Sequence, residues 1–448
     1  MSLAFVHLSD IHFGQEKGGR LRIHEDVRER LLDDIADIVQ HLPLGKADGI
    51  IVTGDLTYSG MIEEYEKVGQ WLDEVADRVG CAVTAVQVVP GNHDIHRKSI
   101  CRSSEWMLSE LASKGETALD SFLADEQDRE VLYGRLRPYR KFAEGYNCPL
   151  DGAGGTAGQK IFDIAPRRTL RFIGLNSALT CGTKDEPGKL LLGARQWVLP
   201  RSKGEELVVL CHHPLHWFRD SKDALRYVHS RARVFISGHE HSPRLAVTPV
   251  EDGCDLLTLE AGATTPPEET EIYTFTYNIL EFSWDEATDG LRVDVKPRIW
   301  SGTGTRFEAN HGLPGSGELS RLLGCPNFRA LQMADPHLDG QVDRDPTAES
   351  PSATPSSAAT TDIEERRNGV TSEFSFLLLR FFRDLTGAQR LAVLVKLGAL
   401  PEDWFEPLNH SAERRALDLM NSSDRLEELK AAIEEVASMN KPETTNND

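Results

Sequence analysis

The segment Ala85-Val86-Gln87-Val88-Val89-Pro90-Gly91-Asn92-His93-Asp94 decides how this chain is read. Residues 85–89 form a short apolar run that a proline and a glycine then stop, which is the signature of a buried strand. Directly past the stop come an amide, an imidazole and a carboxylate. The Asn92 side-chain carbonyl is a neutral hard donor. His93 beside Asp94 reads as a pair in which the carboxylate fixes the imidazole tautomer. Four more motifs repeat the arrangement: Asp10-Ile11-His12, Gly54-Asp55, His212-His213-Pro214 and Gly238-His239-Glu240-His241. Each follows a short apolar run, at residues 4–8, 49–52, 207–210 and 234–236.

Donors just past the C-terminal ends of strands occupy the position where open α/β sheets place their ligands. Between the strands, residues 26–39 and 63–79 show helical spacing, as in Leu31, Ile35, Ile38 and Val39. Strand and helix alternate, so the first half is α/β. Residues 96–145 break the rhythm with a mostly helical insertion directly after the Asn92-His93-Asp94 loop. It is either a lid over the donors or a structural excursion. After residue 241 the pattern turns to strands, at 255–259, 273–282 and 291–295.

The donor chemistry suits divalent metals. In an extended segment side chains alternate, which would put Asp10 and His12 on one side, and likewise His239 and His241. Gly54 has no side chain to obstruct a metal, and Asp55 is the natural bridging carboxylate. Two divalent ions bring four positive charges; Asp10 and Asp55 return two and a bridging hydroxide one. About one positive charge remains to attract a phosphate oxygen.

The five motifs follow the pattern DxH, GD, GNH(D/E), a later His and GHxH. With it, residues 1 to about 300 resemble a calcineurin-like metallophosphoesterase. The resemblance implies a four-layer α/β sandwich of two mixed β-sheets flanked by helices, expected over residues 1–305. By position it implies a first metal held by Asp10, His12, Asp55 and His241, and a second held by Asp55, Asn92, His212 and His239. His212 is preferred over His213 because the family places its ligand two residues before such a proline. His93 resembles the family's catalytic histidine and Asp94 its partner. Segments 173–177 and 260–263 resemble family core strands. The mixed ligand set accepts Mn, Fe or Zn, with Mn favoured.

The implied activity is phosphodiester hydrolysis by a hydroxide bridging the two ions. His93 would stabilise the developing charge or protonate the leaving alkoxide. Gly54-Asp55-Leu56-Thr57 with Gly60 and Tyr65, and the His212-His213-Pro214 run, resemble the cyclic-nucleotide phosphodiesterase branch, which makes a cyclic nucleotide a candidate substrate. Trp217 and Phe218 either stack on a base or pack under a loop. Arg97, Lys98 and Arg102 either meet a second phosphate or are simply solvated. A DNA or RNA nuclease and a phosphoprotein phosphatase of the same superfamily are the alternative activities. A catalytically silent interaction scaffold is the alternative class.

Bulk properties narrow these choices. The 448 residues exceed one compact domain. A net charge of −21, from 71 acidic and 50 basic residues, disfavours extended nucleic-acid binding and an anionic membrane surface. Seven scattered cysteines without a CxxC pair, no long apolar run and no leader-like start point to the cytoplasm and to no membrane contact.

Residues 306–370 are expected to be a connecting segment. Its part at 345–357, rich in Pro, Ser, Thr and Ala, buries too little to fold and reads as a disordered linker. Residues 371–438 return to helical patterning, and the last ten are expected to fray. Thr386 and Gln389 make a capping box ahead of Leu391, Leu394 and Leu397, closed by Gly398. A further helix is expected near 411–420, and a last one carries Leu426, Leu429, Ile433 and Val436. This small all-α bundle has no catalytic constellation, and its His410 stands alone. Its helix count and the Leu385-Thr386-x-x-Gln389-Arg390 start resemble the death-like effector-associated adaptor domains of bacterial conflict systems. The resemblance implies a protein partner or self-association.

Overall fold

The computed structural model describes residues 2–16, 20–249, 255–266, 274–313, 319–332, 372–400 and 410–438. Cys254, the expected linker and the expected frayed tail lie outside the described residues. The chain divides into two units, Met1–Ala330 and Leu331–Asp448.

The first unit is built on two sheets. β1 (Ser2–Leu8), β2 (Gly49–Val52) and β3 (Val86–Val88) run parallel at one edge of a seven-stranded sheet. On the other side of β1 the sheet continues antiparallel through β10 (Thr276–Asp285) and β11 (Gly290–Ser301). The second sheet has the order β4 (Thr156–Ala165), β5 (Arg168–Leu175), β6 (Glu205–Leu210), β7 (Ala232–Ser237), β9 (Leu256–Glu260) and β8 (Arg244–Thr248). Its centre is parallel and both its edge pairs are antiparallel. Parallel strands are covered on both faces, so β2, β6 and β7 are buried throughout and read as unbroken apolar runs.

The sheets pack face to face. Phe5 of β1 meets Phe172 of β5 at 5.0 Å and Phe162 of β4 at 5.1 Å, with Phe282 of β10 completing the cluster. Helices α1 (Arg20–Gln40) and α2 (Ile62–Val79) lie outside the first sheet, and α7 (Ala194–Trp197) and α8 (Ser221–Arg231) outside the second. This is the expected four-layer sandwich.

The first unit does not end at residue 305. β11 is twelve residues long, and its two halves offer edges to β12 (Arg306–Ala309) and β13 (Ser320–Leu323), followed by α9 (Pro326–Gln332). Residues expected to connect the domains instead complete a sheet.

The insertion forms α3 (Arg102–Lys114), α4 (Glu116–Ala124), α5 (Glu126–Tyr133) and α6 (Arg137–Gly145). Of its two readings, the bonding favours the structural excursion. The fully buried Arg135 guanidinium donates to the carbonyls of Leu132, Leu179 and Cys181, across to the loop after β5. The backbone N–H of His96 donates to the Arg135 carbonyl at 2.9 Å. Glu116 accepts from the Ala194 N–H at 2.6 Å, and Arg219 donates to the Ala112 carbonyl at 2.7 Å. Among the described residues no helix is long and apolar enough to cross a membrane.

The second unit contains α10 (residues 372–379), which runs into a π-turn at Arg380–Asp384, then α11 (Gly387–Lys396), α12 (His410–Ser422) and α13 (Leu426–Ser438). Its core gathers Leu378, Phe381, Phe382, Val393, Leu394, Leu417, Leu429 and Ile433, all fully buried. The Thr386–Gln389 capping box forms as expected, and Gly398 takes the left-handed conformation that ends α11. His410 does not stand alone: its Nδ1 lies 3.1 Å from Glu413, which also receives the buried Arg390 at 2.8 Å. The role of His410 is structural, bracing an ion pair between α11 and α12.

Replacing Arg135 by Ala would leave three buried carbonyls without a donor, at roughly 1–3 kcal/mol for each such group before relaxation. The Arg135→Ala chain should therefore lose roughly 2–4 kcal/mol, seen as a lower urea midpoint with an unchanged m-value. An unshifted midpoint would show that these bonds do not hold the insertion.

Candidate metal centre

All five motifs converge at the end of the sandwich where the strands leave the sheets. Asp10 and His12 follow β1, Asp55 follows β2, Asn92 to Asp94 follow β3, His212 follows β6, and His239 and His241 follow β7. Asp55 lies at the middle. Its Oδ2 is 3.2 Å from His12 Nε2 and 3.3 Å from His212 Nε2. On one side Asp10 Oδ1 meets His241 Nε2 at 3.1 Å. On the other, His212 Nε2 lies 3.2 Å from Asn92 Oδ1 and 3.3 Å from His239 Nδ1. Among the described residues four donor groups, His212/His213/His239, Asp10/His12/His241, His12/Asp55/His93 and Asp10/Asp55/His212, have all their ligand atoms within 4.8 Å of one another. The structure thus brings together all seven expected ligands and His93.

The arrangement calls for positive charge. His212 Nδ1 donates to the Thr53 carbonyl at 2.8 Å and His12 Nδ1 faces the Thr265 carbonyl at 3.3 Å. Each ring therefore presents the lone pair of Nε2 to oxygen or nitrogen lone pairs. Asp10 and Asp55 are buried, and no Lys or Arg is among their partners in the described residues. Burial opposes ionisation of Asp55, but the neighbouring His212, His93 and His12 hold it well below the carboxylate range. Burial likewise opposes charge on His212, yet Asp55 and Asp10 push it up to about 9. His239 is pushed down to about 3 by burial and by His212. A buried set of lone pairs that draws in protons fits divalent cations.

The backbone differs from the expected extended one. Asp10, His12, Asp55, His239 and His241 all have positive φ, between 51° and 72°. Their side chains converge because each residue sits in the left-handed region, so the period-two argument for Asp10 and His12 is corrected. Among the described residues, five of the ten non-glycine residues with positive φ are candidate ligands, which places the strain at the site. The motif glycines serve packing more than access. A Cβ on Gly54 would lie 2.5 Å from His212 Nδ1, one on Gly91 2.6 Å from the Asp55 backbone nitrogen, and one on Gly238 2.8 Å from Asp10 Oδ2.

The expected His93–Asp94 pair is also corrected. His93 Nδ1 lies 2.8 Å from the Tyr58 carbonyl, while its backbone N–H donates to Asp55 Oδ1 at 2.7 Å. The Asp94 carboxylate accepts from the N–H groups of Leu56, Thr57 and Gly91 and from the hydroxyls of Thr57 and Tyr65. It therefore fastens the loop after β2 to the loop after β3 and orients His93 only through that scaffold. Burial and the Asp55 charge push the Asp94 carboxyl up to about 6. Tyr58, which the sequence did not single out, lies beside His93 with ring centroids 5.2 Å apart and is 38% exposed at the mouth of the site. Arg97, Lys98 and Arg102 are exposed. Phe218 is buried, and Trp217 packs on His239.

A two-sheet sandwich with a carboxylate-centred cluster of histidines defines a metallophosphoesterase. Residues 3–243 match the family model of the calcineurin-like phosphoesterases, and the chain belongs to that family. Residues 373–435 match the GTPase-associated adaptor domain. A curated relative, the uncharacterized metallophosphoesterase-like protein YydB of Bacillus subtilis (strain 168), is 24% identical over 314 residues, covering 67% of this chain. The chain spans 60% of the length of that relative. Among solved structures, purple acid phosphatase PPD1 from yellow lupin aligns with a TM-score of 0.36 and 12% identity, over 69% of this chain and 53% of its own. A putative 5'-nucleotidase from Staphylococcus aureus gives 0.31 and 14%, over 75% and 58%. A Vps29 double mutant from Entamoeba histolytica gives 0.28 and 12%, over 69% and 98%. Scores this low say nothing of activity.

Gly91→Ala tests the packing of the centre. The added methyl would displace Asp55, so the folded variant should bind Mn²⁺ on the order of 10–100-fold more weakly, read by metal analysis after dialysis. Wild-type metal content in a folded Gly91→Ala chain would contradict the geometry.

Proposed function

We propose that the first unit is a dinuclear metal-dependent phosphodiesterase and the second a module that recruits a protein partner. The observation that carries this reading is the place of Asp55 Oδ2, nearly equidistant from His12 Nε2 and His212 Nε2. One cation would be held by Asp10, His12, Asp55 and His241, the other by Asp55, Asn92, His212 and His239. With no thiolate in the set and only imidazole, carboxylate and amide donors, Mn²⁺ is favoured over softer ions. When bound, such ions supply Lewis-acid charge to phosphate oxygens and acidify a water.

The chain's own residues do the rest. Asp10 and Asp55 supply two negative charges and the remaining ligands none, so the loaded centre keeps net positive charge for an anionic phosphoester. His93 Nδ1 is occupied by the Tyr58 carbonyl, which leaves Nε2 to hold the proton that the leaving oxygen takes. Tyr58, exposed beside that ring, borders the leaving-group side. Arg97, Lys98 and Arg102, exposed in the segment that follows His93, suit a nucleotide or another anionic diester. The chain's net charge of −21 weighs against an extended nucleic acid as substrate.

All six described cysteines are free thiols, which supports a reducing, cytoplasmic setting. The adaptor-domain match over residues 373–435 supports a protein partner for the second unit.

His93→Ala should keep two Mn²⁺ and lose roughly 10²–10⁴-fold in kcat on a model diester. Asp55→Asn should lose both metals and activity. Model diester, model monoester, cyclic nucleotides and single-stranded DNA compared with Mn²⁺ separate the substrate classes. Preference for the monoester, or no turnover of any of them with two metals bound, would sink the phosphodiesterase reading. A chain ending at residue 340 should keep the hydrolysis and lose partner capture; loss of hydrolysis would show that the units are not separable in function.

A further inference from the structure

His239 is held differently from the other candidate ligands. The second ring nitrogens of His12 and His212 face backbone carbonyls, the usual means of fixing a ligating imidazole. Nε2 of His239 has no hydrogen bond among the described residues, although its backbone sits at a φ of 72°. What fixes the ring is packing. The His213 ring lies 4.3 Å away, tilted by 45°, and the Trp217 indole lies 4.1 Å away, nearly perpendicular at 86°.

Both packing rings are themselves anchored. His213 Nδ1 lies 2.9 Å from Ser177 Oγ just past β5, and the same hydroxyl accepts from the His213 backbone N–H at 3.3 Å. Its Nε2 lies 4.0 Å from Cys181 Sγ, and the ring stands beside both His212 and His239. Trp217 Nε1–H donates to Glu240 Oε1 at 3.1 Å, and His216 Nε2 meets that same oxygen at 2.8 Å. Glu240 directly follows His239. The chain thus closes a small ring: His239, its neighbour Glu240, the indole that Glu240 holds, and back to His239.

We propose that His213, Trp217 and Glu240 form a positioning clamp that sets the plane of the His239 ring and thereby tunes the second cation position. The inference rests on the two-cation reading given above. It assigns a function to the otherwise unused middle residue of the Gly238-His239-Glu240-His241 motif. It also gives Trp217 a task other than stacking on a nucleobase.

The test is a Mn²⁺ titration of the chelator-stripped full chain, followed by calorimetry and by metal analysis. Trp217→Ala and Glu240→Ala should weaken the second Mn²⁺ on the order of 10–100-fold and leave the first unchanged. The Mn²⁺ concentration for half-maximal hydrolysis should rise in step, with kcat recovering at saturating metal. Glu240→Gln keeps an accepting oxygen for the indole and should titrate like the wild type. Two unchanged Mn²⁺ affinities in both alanine variants, or equal weakening of both positions, would overturn the clamp. His239→Ala is the control on the underlying reading. If it still binds two Mn²⁺ with wild-type affinity, His239 is no ligand and the two-cation assignment fails, whatever the clamp variants show. Glu240 is partly exposed, so Glu240→Ala keeps the question answerable if Trp217→Ala does not fold.

Discussion

Asp10 and Asp55 are 0% and 1% exposed, and the groups around them are imidazoles, backbone amides and a serine hydroxyl. Taking carboxylates out of water without a basic partner is costly. Here the cost is offset by imidazoles that become charged or by a cation that takes their place. The rest of the first unit can be understood as the means of keeping those two carboxylates close. The left-handed turns aim them, and three glycines allow the approach. Asp94 ties two of the loops together from below. Without the demand for positive charge, neither the strain nor the glycines would have a purpose.

The two carboxylates also explain why the layers are arranged as they are. Asp10 and Asp55 come from parallel neighbours in the first sheet, and His212 and His239 from parallel neighbours in the second. The aromatic cluster of Phe5, Phe172 and Phe282 sets the spacing between the sheets. The insertion is bonded to the second sheet's loops rather than hanging free. Its anchor is Arg135, whose guanidinium spans to carbonyls more than forty residues away in sequence.

Much of this was legible in the chain. The choice of seven donors came from the family resemblance. Motif order and the apolar runs ahead of each motif indicated the sheets and the strand ends, because strand periodicity is a local property. The Thr386–Gln389 cap was legible for the same reason. What could not be read depends on contacts between distant residues. The positive φ of His12 has no local signal, since nothing in Asp10-Ile11-His12 distinguishes a turn from a strand. The true partners of Asp94 are the Tyr65 and Thr57 hydroxyls with three backbone amides, although adjacency suggested His93. His410 finds Glu413, and through it Arg390, only once α11 and α12 pack. The extension of the first sheet past residue 305 depends on the edge of β11 opposite β10 being long enough for two short strands, which becomes visible only when its pairing is known.

Because the donors are split between the sheets, with 231 residues separating Asp10 from His241, any cation held there crosslinks the two halves of the sandwich. Ligand affinity for the folded form alone adds RT ln(1 + [L]/Kd) to its stability. Metal supply in the cell would then govern how much of the chain persists folded, as well as how fast it turns over.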